Sequence, residues 1–360
     1  MAWNGSSQEI LVPWGLETQT YMVLPMENMT ILLQDSSLAP SDTAVDSPHP
    51  GWAALDILCI IIYGVTFFMG TVGNALVIWV AGFRMPHTVN TVWFINLAIA
   101  DFVFCLSVPL NMTLVILHRH WPFGRTLCKL HGAINNLNLF ASVFLVSLLS
   151  VDRCVTVLWP LWAKKHRRPH LAALGAMGAW IMALPFCGIS LMIKDTITYQ
   201  GVTYCYNNYD VWNETHGNYE LWQKIAIPRY YALIIIHLVC GFVGPMVVIV
   251  VCYGLISVKL WQNQLASSRR SFRVLMAVVV AFFLCWLPFH VFQWAEFISS
   301  LKNHQVLYTT VQQLGAIVTS LAFLNSCLNP VLYVFTRYDF REQLLYSLPT
   351  AMKRALTDKS

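Results

Sequence analysis

Two acids in this sequence lie where water should not reach them. Asp101 closes the run Leu97-Ala-Ile-Ala-Asp101 inside one long apolar stretch, and Asp152 stands beside Arg153 near the end of another, residues 128–162. A charge inside a bilayer is costly unless it is paired or faces a wet cavity, so an intramembrane acid is read first as a functional group. For Asp101 that means an ion site, with a protonated acid shared between helices as the bland alternative. For Asp152-Arg153, where a helix leaves the membrane, it means a paired charge or one facing a wet, functional cavity. No enzyme constellation competes in the sequence: there is no Ser-His-Asp order, no glycine-rich phosphate loop and no pair of catalytic acids. His118 and His120, two apart at a helix end, point only weakly to a metal pair.

The elements that must position these groups follow from composition. The chain has 360 residues, 57% hydrophobic and only 11% charged, where a soluble domain carries about 25%. Seven hydrophobic segments stand out, at about residues 52–80, 90–117, 125–158, 171–192, 227–260, 272–299 and 306–335. Each exceeds or approaches the roughly 20 residues of helix that cross a bilayer core. The expected fold is an all-α membrane protein: a seven-transmembrane helix bundle (52–335) between an N-terminal tail (1–51) and a short C-terminal segment (336–360). The first thirty residues show no basic stretch ahead of an apolar one, so no cleaved signal peptide is expected. Of the 22 Lys and Arg, 15 fall on the side shared by Arg153 and the C-terminus, which puts the N-terminus outside. Asn4 and Asn28 in the tail, and Asn213 in a loop on the same side, begin glycosylation sequons. The tail has no Lys or Arg and several acids; it reads as a solvated segment or as a first contact for a basic ligand. Thr196–Tyr199 and residues 202–206, β-prone and separated by Gln200-Gly201, read as a hairpin in the outer loop.

Motifs appear in a fixed order along these segments: Gly73-Asn74, Leu97-Ala-Ile-Ala-Asp101 with Pro109, Asp152-Arg153-Cys154, Trp180 with Pro185, and Pro245 with Tyr253. Cys285-Trp286-Leu287-Pro288 and Asn325-Ser326-Cys327-Leu328-Asn329-Pro330-Val331-Leu332-Tyr333 complete the series. From the first segment to the tail the chain resembles the rhodopsin-like (class A) G-protein-coupled receptors, with Asp-Arg-Cys in place of the commoner Asp-Arg-Tyr. Gly82-Phe-Arg-Met-Pro-His-Thr-Val, His120-Trp-Pro-Phe-Gly and Arg354-Ala-Leu-Thr look most like the formyl peptide receptors of the chemoattractant group. Lys194-Asp-Thr-Ile and Cys205-Tyr-Asn-Asn-Tyr are closer to the chemerin and chemoattractant-type prostaglandin D receptors.

The resemblance implies a plasma-membrane receptor for a chemoattractant or inflammatory ligand, a peptide or a carboxylated lipid. It implies signalling through an inhibitory heterotrimeric G protein, arrestin as a further partner and no nucleic acid; the alternative is a non-signalling decoy. Cys128 and Cys205 are the implied disulfide, and residues 337–346 the implied amphipathic helix along the inner membrane face. No cofactor is expected apart from an allosteric sodium ion, held by Asp101, Asn138, Ser142, Asn325, Ser326 and Asn329. Coupling and switching fall to Asp152, Arg153, Leu161, Tyr253, Phe282 and Tyr333, with Arg153 paired to Asp152 at rest. The ligand pocket maps onto Asn111, Asn136, His237, Trp286, Phe289, Gln293, Glu296 and Thr319. Here the chain departs from the formyl peptide receptors: an acid and two arginines of that family become Asn136, Leu233 and His237. His237 is then the expected donor to a ligand carboxylate.

Overall fold

A computed structural model describes residues 50–199, 201–216, 218–262, 268–301 and 305–336, with Glu342 and Leu345. Asn4, Asn28 and most of segment 337–346 lie outside the described residues, as do the side chains of Glu296 and Tyr333. The helices are α1 (Pro50–Phe83), α2 (Val89–Ile116), α3 (Gly124–Leu158), α4 (Pro160–His166), α5 (Pro169–Ile193), α6 (Tyr219–Leu238), α7 (Gly244–Gln262), α8 (Ser268–Leu301) and α9 (Gln305–Thr336). Strands β1 (Lys194–Tyr199) and β2 (Val202–Asn207) form an antiparallel hairpin between α5 and α6. Among the described residues six spans are long and apolar enough to cross a membrane, one of them running through α6 and α7. α8 supplies the seventh pass, with its apolar stretch Val279–Ala295. Phe68, Ile181, Val250 and Leu284 project outward from the bundle, as expected where lipid replaces water.

Local chemistry sets the helix ends. Thr88 and Thr91 cap α2 reciprocally, Thr91 N–H donating to Thr88 Oγ1 at 3.3 Å and Thr88 N–H to Thr91 Oγ1 at 2.8 Å. Pro160 and Pro169 open α4 and α5, where a missing N–H costs nothing. The expected boundaries hold to within a few residues except at the fifth span, which begins at Tyr219 rather than near 227. Asn218 caps it by accepting from Leu221 N–H at 3.1 Å. The first two turns carry Glu220, Gln223 and Lys224, so hydropathy hides a helix that extends beyond the apolar layer. Val239–Val243 form a π turn joining α6 to α7 just ahead of Pro245, which cannot donate to the helix ladder.

Helix packing rests on a few polar ties within an apolar core. Asn74 donates Nδ2–H to the Ser326 carbonyl at 2.9 Å and pins α1 to α9. Gly73 makes that approach possible, since a Cβ there would lie 2.9 Å from Pro330 Cβ. Trp180 Nε1–H donates to Asn96 Oδ1 at 2.9 Å and ties α5 to α2. The hairpin is fixed from below by the Cys128–Cys205 disulfide, with Cα atoms 5.6 Å apart. Closing a loop of this size contributes about 3–5 kcal/mol in the chain-entropy model. Arg125 forks onto Asp195 at 2.7 and 2.9 Å, and Trp121 N–H donates to Thr203 O at 2.7 Å. Arg229 of α6 holds the following loop, donating to Tyr209 O at 2.9 Å and to Glu214 at 2.9 Å.

Gly73 and Gly64 sit in the same helix, but nothing lies within 4 Å of a Cβ at Gly64. Gly64→Ala should therefore stabilise the receptor by up to about 1 kcal/mol through helix propensity. Gly73→Ala gains the same propensity yet should be destabilising by about 1–3 kcal/mol through overpacking on Pro330. Thermal unfolding in detergent measures both, and equal shifts would remove the close-approach explanation.

Candidate functional site

Three polar centres lie along the bundle. In the middle, Asp101 of α2 is fully buried. Asn138 of α3 donates Nδ2–H to its Oδ1 at 3.0 Å, and Asn329 of α9 donates to its Oδ2 at 2.8 Å. Ser142 Oγ lies 3.4 Å from Asn138 Nδ2, and Ser326 Oγ 3.5 Å from Asn138 Oδ1. Asn325 is buried on the same turn of α9. Both direct donors are neutral, and among the described residues no cationic side chain forms an ion pair with Asp101. The carboxylate and the nearby Ser142 and Ser326 hydroxyls are oxygen ligands of the kind that suits a small hard cation, while the two amides turn N–H toward the acid.

Under the hairpin lies a cavity, and beside it a smaller one that shares Asn136, Lys194 and His237 in its lining. Asn111, Asn136, His237, Trp286, Phe289 and Thr319 line the larger space, and Gln293 the smaller. The sequence reading counted Lys194 only among the basic residues outside the membrane. It is in fact buried, with 7% exposure, and its stem lies against Gly132 of α3. A Cβ at Gly132 would stand 2.8 Å from Lys194 Cγ, so the glycine makes room for the lysine. Burial pulls the Lys194 ammonium down to about 7. His237 reaches the cavity, but protein already engages both ring nitrogens. Nδ1 is 2.9 Å from Leu233 O, and Nε2 is 3.1 Å from Asn136 Oδ1. Asn136 in turn bonds Ser190 Oγ. Trp286 and Phe289 pack edge to face at 5.6 Å in the cavity wall, with Phe282 at 6.1 Å from Trp286 and Val143 in the same cluster.

At the far end, the Asp152-Arg153 pair is arranged differently from what the resemblance implies. Arg167, just after α4, takes Asp152 with both prongs at 2.8 Å. Arg153 donates instead to Asn90 Oδ1 at 2.5 Å, and Arg167 reaches the same oxygen at 2.7 Å. The planar guanidinium of Arg167 matches a carboxylate bidentately, which explains why it holds Asp152. Tyr253 is buried beside Ser150 and Arg153. Leu161, 86% exposed, projects from α4.

The sequence profile described as 7 transmembrane receptor (rhodopsin family) matches residues 73–333. The chain belongs to that family. It is 44% identical over 315 residues to N-formyl peptide receptor 2 of Gorilla gorilla gorilla, covering 86% of this chain and 89% of the relative. It is 43% identical to the Homo sapiens N-formyl peptide receptor 2 over 86% of this chain and 88% of the relative. With the fMet-Leu-Phe receptor of Macaca mulatta it shares 43% identity over 90% of this chain and 94% of the relative. It is thus a multi-pass plasma-membrane receptor of the rhodopsin family, most like formyl peptide receptors, with an extracellular ligand and a G protein as partners. It is not an enzyme.

Sequence reasoning did not single out Lys194 or Arg167 as site residues. A lysine at a loop boundary and an arginine in a basic run both read as solvated. The signal for Lys194 was Gly132, a glycine inside an apolar helix one turn past Cys128. Half-buried Arg167 is testable by a double-mutant cycle. Arg167→Met should lower stability by about 1–3 kcal/mol, because Asp152 loses a charge-assisted partner. In an Asp152→Asn background the same change should cost far less, whereas additive losses would show that the pair contributes nothing.

Proposed function

We propose that this receptor binds a chemoattractant or inflammatory ligand through a carboxylate and signals through an inhibitory G protein. The observation that carries the ligand reading is Lys194, a buried cation at the junction of the two cavities. A buried ammonium on a cavity wall is placed to meet an acidic group of a ligand entering that cavity. The His237–Asn136–Ser190 chain then holds polar groups next to that anion, with His237 positioning Asn136. The positions that carry an acid and two arginines in formyl peptide receptors are Asn136, Leu233 and His237 here, so a different ligand end is favoured. Glu296, on α8 above Gln293, remains part of the proposed pocket.

The hairpin end and the N-terminus face the outside in this reading, because the basic residues concentrate at the other end. Asn213, exposed in the loop after β2, carries a glycan, as do Asn4 and Asn28 in the tail. A sodium ion at Asp101, Asn138, Ser142, Asn325, Ser326 and Asn329 favours the resting state. Arg153, Leu161, Tyr253 and Tyr333 meet the G protein, with Phe282 as the packing switch and arrestin as a second cytoplasmic partner. No geometric feature favours the decoy alternative.

Lys194 gives the ligand reading a pH signature. Its ammonium titrates near 7, so below that value the cation is present, and above it a proton must be taken up on binding. Affinity for a carboxylate agonist should therefore fall by up to about tenfold per pH unit as pH rises above 7. Lys194→Arg, always charged, should bind with a flat profile, and Lys194→Met should bind weakly throughout. A flat profile in the wild type would remove Lys194 from the site.

For coupling, agonist should suppress cAMP in cells, and pertussis toxin should abolish that suppression. A toxin-resistant response, or a rise in cAMP, would show a different G protein.

A further inference from the structure

Three polar side chains form one wall of the larger cavity, and of them only Asn111 has been named so far, as a lining residue. Asn111 of α2 faces His131 and Asn135, one turn apart on α3. His131 Nε2 is 3.2 Å from Asn111 Oδ1 and 3.3 Å from Asn135 Nδ2. One ring nitrogen of a neutral imidazole cannot serve both. As an N–H it donates to Asn111 and repels the Asn135 amide; as a lone pair it accepts from Asn135 and repels the Asn111 oxygen. Turning either amide over leaves two asparagines competing for one hydrogen or one lone pair.

The same three residues each present a further atom with no partner. Asn111 Nδ2, His131 Nδ1 and Asn135 Oδ1 are all buried without a hydrogen bond. His131 and Asn135 are only 7% and 8% exposed. Buried polar groups are rarely left in this state, and each such group asks for an explanation. All three residues line the cavity that also holds Lys194 and Asn136. Asn136 follows Asn135 in the chain, and the Lys194 stem packs on Gly132, next to His131. The Lys194 stem thus packs one residue from His131 and three from Asn135 along α3.

The unpartnered set holds one donor, one acceptor and one ring nitrogen that can be either. A neutral group with both an N–H and a C=O meets that set. A second anion would bring only acceptors and would face the Asn135 carbonyl oxygen. An alkyl chain would leave all three atoms as they are. We propose that the Asn111–His131–Asn135 wall binds a secondary amide adjacent to the ligand's carboxylate. The ligand class is then a peptide C-terminus or an N-acyl amino acid, not a plain fatty acid. This rests on the carboxylate reading of Lys194.

The test uses the full-length receptor in detergent and two probes, N-palmitoylglycine and the fatty acid of equal chain length. Affinities come from the ligand dependence of thermal unfolding. The acylglycine should bind the wild type at least about tenfold more tightly, the gain expected from two hydrogen bonds. The His131→Leu/Asn135→Leu variant should lose that preference and keep its affinity for the fatty acid. If that variant does not fold, Asn111→Leu, which removes the donor alone, should still reduce the preference. Lys194→Met should weaken both probes. Equal wild-type affinities that still depend on Lys194 would overturn the amide assignment and leave the carboxylate reading intact. Binding of neither probe, or binding indifferent to Lys194→Met, would overturn both.

Discussion

A carboxylate with no solvent exposure, held between three helices, is the constraint around which this bundle is built. Asp101 cannot be left bare in a low-dielectric interior, and the neutral amides of Asn138 and Asn329 meet it together with the Ser142 and Ser326 hydroxyls. These donors come from α3 and α9, so satisfying one side chain on α2 fixes the mutual positions of three helices. Asn74 extends the tie to α1 by bonding the Ser326 carbonyl, one turn from Asn329. The fold's centre is therefore polar and specific, whereas its lipid-facing surface is apolar and generic.

The same face of α3 joins the carboxylate to the cavity. His131, Asn135, Asn138 and Ser142 follow one another at spacings of four, three and four, a polar stripe along one face of α3. Its upper half faces the space beneath the hairpin, and its lower half faces Asp101. A ligand that orders the upper asparagine and histidine thus acts on the helix that also carries Arg153 at its end. Arg167 adds a restraint there, since Asp152 and Asn90 are both held by it. Movement of the far end of α3 has to break that bidentate contact, whatever Arg153 does.

How much of this was legible in the sequence depended on the physics behind each feature. The spans were readable because apolar length alone decides membrane crossing; α6 was mislocated at its start because its first turns are polar. The hairpin was readable from Gln200-Gly201 and alternating β-prone residues, and Gly201 does take a positive φ of 82°. Asp101 itself stood out as an acid within an apolar run, whereas its neighbours were named only by the resemblance to rhodopsin-like receptors. The Lys194, Arg167 and His131 contacts were not readable, because each depends on where a long side chain turns after leaving the backbone. Hydropathy assigns such residues to solvent by type, whereas burial is settled by a neighbouring glycine, carboxylate or cavity. His237 shows the converse: its place in the pocket was foreseen, but its engagement by Leu233 and Asn136 was not.

The claim on which the account turns is that Asp101 is ionised and waits for a small cation rather than being a protonated acid shared between helices. Thermal unfolding of the purified receptor in sodium chloride, against choline chloride at equal ionic strength, tests it directly. A cation that binds only the folded state raises Tm in a saturable way. The account predicts that rise in the wild type and its disappearance in Asp101→Asn. No difference between the two salts, or the same sodium-dependent rise in Asp101→Asn, would contradict it.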